Sequence, residues 1–162
     1  MTLSTHSIIG AAIAVALPTH PVIGAVAAFA SHFLLDALPH WDYKIFSASA
    51  NPNKPTALKF DKLFALDLLR IGFDAVLGLA LAGFFFFSPA TWWLCFMGAI
   101  MAQLPDFLQF VYSKFPDSPI KYVQQFHTWI HTDQKLVGMP FIGITSQIVV
   151  IIFAVGCFFI AF

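Results

Sequence analysis

The chain has 162 residues, enough for one domain, and 59% of them are hydrophobic while 10% are charged, at a mean hydropathy of +0.82. Soluble domains carry roughly 25% charged residues, so this composition excludes one, and it excludes a disordered tail as well. Eight Lys+Arg against eight Asp+Glu leave no basic excess for nucleic acid, so a bilayer is the solvent that remains.

Residues 1–162 read as a single integral-membrane domain of the all-α class, a polytopic bundle of about five membrane helices. The chain splits at Pro, Gly and charge clusters into five apolar stretches. Ser7 to Leu17 is short and Pro21 to Leu38 is borderline; the turn Pro18-Thr19-His20-Pro21 makes them a tight hairpin, tilted or locally thinning the bilayer. No basic segment precedes the first stretch, which argues against a signal peptide. Lys62 to Phe87, Ala90 to Val111 and Leu136 to Phe162 each reach the about 20 residues that a crossing needs. Cys95 and Cys157 lie in apolar runs and read as core or lipid-facing residues, not as a disulfide.

The connections carry the charge. Lys44, Lys54, Lys59 and Lys62 follow the second stretch, and Lys114, Lys121 and Lys135 lie between the fourth and fifth, so every lysine falls on one side. The opposite connections, at Thr19-His20 and Ser88-Pro89, hold no Lys or Arg, and the positive-inside bias then sets the N-terminus in the cytoplasm and the C-terminus outside. Pro39 to Asp61, with Asn51-Pro52-Asn53 and Pro55, reads as irregular, a lid or a plain connector. Pro119 to about His131, with Ser118 as N-cap, reads as a short amphipathic helix along the interface, because Ile120, Val123, Phe126 and Ile130 recur at helical spacing.

A charge in hydrocarbon costs at least about 2.5 kcal/mol, so polar residues in such a chain are informative. They collect at one depth: His6 at the start of the first stretch, His32 and Asp36 near the end of the second, His40 and Asp42 just beyond it, Asp106 near the end of the fourth, and His127 and His131 on the loop helix. His20 alone lies opposite. His32 and Asp36 are spaced i, i+4 and share a helical face, and His127 and His131 repeat that spacing, the arrangement of two ligands on zinc metalloprotease helices. Thr128 follows His127, so the glutamate base of those enzymes is absent, and water would be activated by an aspartate or by the metal-bound hydroxide itself, with Asp106 as a ligand or base. Taken singly, each pair also reads as a packing hydrogen bond or a solvated face, and Asp106 after Pro105 as a helix stop; their common depth favours a metal site.

Asp67, Arg70 and Asp74 fall on one stripe of the third stretch. They read as a structural ion-pair network, with Arg70 binding a substrate phosphate, or a relay for ions or protons, as the other readings. Trp41, Trp92, Trp93 and Trp129 sit near stretch ends and read as headgroup anchors.

Thr5-His6-Ser7, Ser31-His32-Phe33-Leu34-Leu35-Asp36, Leu104-Pro105-Asp106 and His127 to His131 together resemble the LexA-regulated, inner-membrane metal-dependent hydrolases, over a little under half of the chain. The Ser-His-Phe-Leu-Leu-Asp segment is also similar to one shared by small bacterial membrane proteins. His32-xxx-Asp36 with a further His looks, less closely, like the ligand pattern of zinc-dependent phospholipases C and single-strand-specific zinc nucleases, which implies phosphoester hydrolysis at a site of two or three zinc ions. The order of the Ser-His-x-x-x-Asp and Pro-Asp pieces is reversed relative to the hydrolase family, and Pro105-Asp106 lacks the acidic and His residues that follow there.

The expectation is therefore a bacterial inner-membrane hydrolase of phosphoester or lipid-related substrates at the cytoplasmic face. His6, His32, Asp36, His40, His127 and His131 would hold a divalent metal, zinc first, with Asp106 and Arg70 catalytic. A transport protein using Asp67, Arg70 and Asp74, or a noncatalytic scaffold, is the alternative, although the outer half offers a relay only Thr145, Ser146 and Gln147 on the last stretch and His20 in a turn.

Overall fold

The computed structural model describes residues 1–47, 61–115, 117–133 and 136–161, and these form an all-helical bundle. Lys54, Lys59, Lys135 and the turn formers from Asn51 to Pro55, on which part of the charge and lid readings rests, lie outside the described residues. The helices are α1 (Leu3–Val15), α2 (Pro21–Asp36), α3 (Lys62–Phe86), α4 (Trp92–Lys114), α5 (Ile120–Ile130) and α6 (Pro140–Ala161), with a 3-10 turn at Leu136–Gly138 before α6.

Among the described residues three helices, not five, are long and apolar enough to cross a membrane: α3, α4 and α6. The α1–α2 hairpin falls short for a geometric reason. Its 13 and 16 residues reach only about 20 and 24 Å at 1.5 Å each, against a hydrocarbon thickness of about 30 Å. Pro21 opens α2 at its first turn, where the missing N–H costs nothing, and fixes the tight reversal after α1.

The short α1 is the centre of the bundle, packed by α2, α3, α4 and α6. Ten of its 13 residues are buried, polar Thr5, His6 and Ser7 among them, as in a helix with no wide free face. Gly10 on α1 meets Gly98 on α4 so closely that a Cβ on either would collide with the other's carbonyl oxygen, and Gly78 on α3 leaves room for Ser4 and Ser7. Ile8, Ala11, Ala12, Ala82, Phe86, Cys95 and Ala99 fill the core around this crossing. Cys95 is buried and Cys157 exposed, both free.

The charged stripe of α3 divides. Arg70 pairs with Asp67 (Nη1–Oδ1 3.6 Å), but Asp74 instead accepts from the Leu3 and Ser4 amides at 2.7 and 3.2 Å, capping the otherwise uncapped start of α1. Pro105 stops nothing: α4 runs through it to Lys114, with Asp106 inside the helix. On α5 the helix begins at Ile120 with Pro119 as N-cap, and Ser118 bonds backward to the Phe115 carbonyl rather than capping.

Candidate metal centre

Because α1, α3 and α6 start, and α2 and α4 finish, at one end of the bundle, that end gathers polar residues far apart in sequence. Two backbone bonds fasten the segment after α5 to the end of α2: Thr132 N–H donates to the Asp36 carbonyl and Leu136 N–H to the His40 carbonyl, each at 2.9 Å. Pro39 lets the chain leave α2 and fold His40 back over Asp36.

Asp36, 2% exposed, is the hub. Its Oδ2 lies 3.2 Å from His32 Nε2, 3.3 Å from His127 Nε2 and 3.8 Å from His131 Nε2. Its Oδ1 lies 3.2 Å from His6 Nε2 and 3.7 Å from His40 Nε2, and also takes the Met1 ammonium. Asp106 stands at the rim, a third exposed, with Oδ1 3.7 Å from His32 Nε2. The five histidines expected to hold a metal thus surround the carboxylate of the sixth expected ligand, Asp36, with Asp106 beside them. Arg70 lies elsewhere, on the lipid-facing side of α3 with its ring neighbour Phe46, and is no part of this cluster.

The far ring nitrogens decide what the near ones offer. His32 Nδ1 donates to the Ala102 carbonyl at 2.9 Å, His40 Nδ1 to Leu38 at 2.7 Å and His131 Nδ1 to Thr132 at 3.0 Å. A carbonyl only accepts, so in each neutral ring the hydrogen sits on Nδ1 and a lone pair on Nε2. Those lone pairs point at the oxygens of Asp36 and, for His32, of Asp106 as well, and His32 Nε2 also lies 3.4 Å from His127 Nε2. Acceptors facing acceptors in a dry pocket repel unless a cation stands between them. His6 Nδ1 and Nε2 and His40 Nε2 are buried without a hydrogen-bond partner, which a ligand bond would relieve.

Burial, seconded by the Met1 ammonium, pushes the His40 imidazole down to about 4, so it is neutral and able to bind a metal at physiological pH. Tyr43 is pushed upward by burial and by Asp74, Asp42 and Asp106, and it stays protonated.

Two ligand groups emerge: His32, Asp36, Asp106 and His127, and Asp36, His40 and His131, in each of which one nitrogen or oxygen per residue lies within 4.8 Å of the others. Around zinc the ligand atoms sit about 3.4 Å apart, so the shell needs a modest contraction, which rotamer motion of Asp106 and His131 supplies. A donor set of imidazoles and carboxylates fits a divalent metal, and the backbone bonds to Nδ1 are those that orient metal-binding histidines.

No family model, curated protein or solved structure matches the chain. The site therefore rests on its own geometry.

One residue of the site's surroundings is placed differently from the sequence reading. Thr145, Ser146 and Gln147 were expected in the outer half of the last span; α6 starts at Pro140, so Gln147 lies two turns from the site end. Its Oε1 accepts from Thr2 N–H, Thr2 Oγ1 and Thr5 Oγ1, each at 3.0 Å, and its Nε2 donates to the Trp41 carbonyl at 2.8 Å. It joins the start of α1 to the strap carrying His40. Trp41 is accordingly more than a headgroup anchor: it packs where Gly143 leaves room. A lone carboxamide two turns into an apolar helix is the signal that marks it.

Proposed function

We propose that the chain is a membrane-bound, metal-dependent hydrolase with a centre, zinc first, built round Asp36 at the cytoplasmic end of its bundle. The observation that carries this reading is the convergence of Nε2 atoms on both oxygens of one buried carboxylate, with Nδ1 of three rings held by backbone carbonyls. Zinc would supply a Lewis acid that brings a water molecule's pKa to about 7. His32, Asp36, Asp106 and His127 are the best-formed ligand set, and His6, His40 and His131 complete the wall. Asp106, the partly exposed carboxylate at the rim, is placed to take the proton of an attacking water or to bind the ion. The dry wall strengthens whatever charge develops there. The substrate is a phosphoester or related ester reaching the interface.

The described lysines support the location. Lys44, Lys62 and Lys121 lie at the site end while the connections at Thr19-His20 and Ser88-Pro89 carry no cation, which supports a reading with that end and the N-terminus in the cytoplasm of a bacterial inner-membrane protein. The transport reading finds no support in α3, where Asp67 and Asp74 are engaged by backbone amides rather than strung as a relay.

Metal analysis of the protein purified without chelator tests the proposal. At least one divalent ion per chain is expected, reduced about tenfold or more by Asp36→Ala. Less than a tenth of an equivalent, unchanged after reloading with zinc, would overturn it.

A further inference from the structure

A groove of about 420 Å³ opens between α1, α3 and α6, beside the metal centre but distinct from it. It has two chemically different ends. Nearest the site end are Arg70, Tyr43, Thr2 and Gln147, and farther along are Leu77 and Ile151, with Phe73 and Ile148 between. From Arg70 to Leu77 the wall of α3 advances about 10 Å toward the bilayer midplane, and α6 runs the same way. Phe73 is 72% exposed and Ile148 49%, so this side of the groove faces hydrocarbon.

Charge fixes the polar end. Asp74 lines the groove but is buried, its oxygens held by the Leu3 and Ser4 amides. Asp67, behind Arg70, is 2% exposed and takes the Phe46 and Ser47 amides on Oδ2. The Arg70 side chain is half exposed, and its guanidinium is the cation that the wall presents. A planar guanidinium suits a phosphate, and it stands above an apolar slot pointing to the membrane centre. A lipid of the leaflet on the site side has that polarity: phosphate at the surface, chain inward, with no need to carry its headgroup through hydrocarbon.

We propose that this groove binds a membrane phospholipid, phosphate on Arg70 and acyl chain along Phe73, Leu77 and Ile148. The wall behind it is thin: Thr2, Thr5 and Trp41 line the groove, and their chain neighbours Met1, His6 and His40 surround Asp36. The site thus draws its substrate sideways from the bilayer, a statement that rests on the hydrolase reading for what then happens to the lipid.

The test uses the full chain in phosphatidylcholine nanodiscs with two photoactivatable probes of identical diazirine-bearing tails, a phosphatidic acid and a diacylglycerol. Mass spectrometry maps the adducts, and metal content is read on the same sample. Phosphatidic acid adducts are expected to concentrate on Phe73, Leu77, Ile148 and Ile151, and to fall about tenfold in Arg70→Ala and less in Arg70→Lys. The diacylglycerol probe, lacking phosphate, should label the groove weakly and ignore both substitutions. Ile148→Trp, which fills the slot and leaves Arg70 in place, should also abolish groove labelling. Adducts spread over lipid-facing residues such as Phe84, Phe153 and Ile160, or labelling indifferent to Arg70, would overturn the proposal. Displacement of the probe by inorganic phosphate alone would overturn the lipid as occupant. Bound metal with scattered adducts sinks the groove and spares the metal centre; groove adducts without metal do the reverse.

Discussion

At the residue scale, the histidines carry their chemistry in which nitrogen faces where. Replacing Ala102 cannot remove the carbonyl that holds His32 Nδ1, but His32→Gln and His127→Gln each delete a donor to the ion; each is expected to weaken metal binding by about 100-fold in competition with a chromophoric chelator. His20 sits on the exposed turn between α1 and α2, at the opposite end of α2 from Asp36, and His20→Gln should leave metal content unchanged. His40 gives a pH prediction with a definite sign. Its imidazole titrates near 6.5 when unfolded and at about 4 when folded, so between those values the unfolded chain binds the extra proton and the folded chain does not. Stability of the metal-depleted protein should then fall as pH drops through that window, by up to about 1.4 kcal/mol per pH unit from this group, and His40→Gln should flatten the slope in thermal melts at pH 7, 5.5 and 4.5.

At the element scale, the site depends on how closely α1 is allowed to approach its neighbours. Gly98→Leu would drive a side chain into the Gly10 carbonyl and push α1 off α4; a loss of about 1–3 kcal/mol or outright misassembly is expected, read as a lower melting midpoint in detergent. Gly72→Ala, where a Cβ would meet nothing within 4 Å, should instead raise it slightly, since alanine favours a helix interior by roughly 0.5–1 kcal/mol. Gln147→Leu strips Thr2 and Thr5 of their acceptor and the Trp41 carbonyl of its donor while keeping the volume. A buried unsatisfied group costs about 1–3 kcal/mol, so the melt should drop, and metal should dissociate faster because the strap bearing His40 loosens. Faster dissociation with unchanged melting would show that Gln147 acts on the centre alone.

At the scale of the whole molecule, α1 and α2 form a hairpin shorter than the three long helices, with α1 inside the bundle and α2 on its flank, and every described lysine lies at the site end. Single cysteines introduced at Lys62 and Lys121 of a variant lacking Cys95 and Cys157 should react with an impermeant maleimide only in inside-out vesicles, while one at Ser88 reacts only in right-side-out vesicles. The tip at Thr19 should react slowly from either side, because the hairpin is about 10 Å shorter than the bilayer is thick.

Much of this was legible in the linear chain. Composition alone required a membrane solvent, and helical spacing put His32 with Asp36 and His127 with His131 on common faces, since i, i+4 geometry is local and independent of what packs nearby. The order of the helices also brought the described lysines to one end. What spacing could not tell was partnership across the bundle. The sequence put Asp74 in an ion-pair network with Arg70, but the start of α1 arrives beside it with unpaired amides, and those win the carboxylate. It put Gln147 in the outer half, because the helix start at Pro140 comes from the 3-10 turn before it and not from hydropathy. The roles of Asp36 as hub and of Arg70 as the cation of a lipid-facing groove are likewise tertiary. A side chain's local face follows from the 3.6-residue repeat; which distant group meets it is decided only when glycines let the helices close and the backbone amides, carbonyls and carboxylates choose among the partners then in reach.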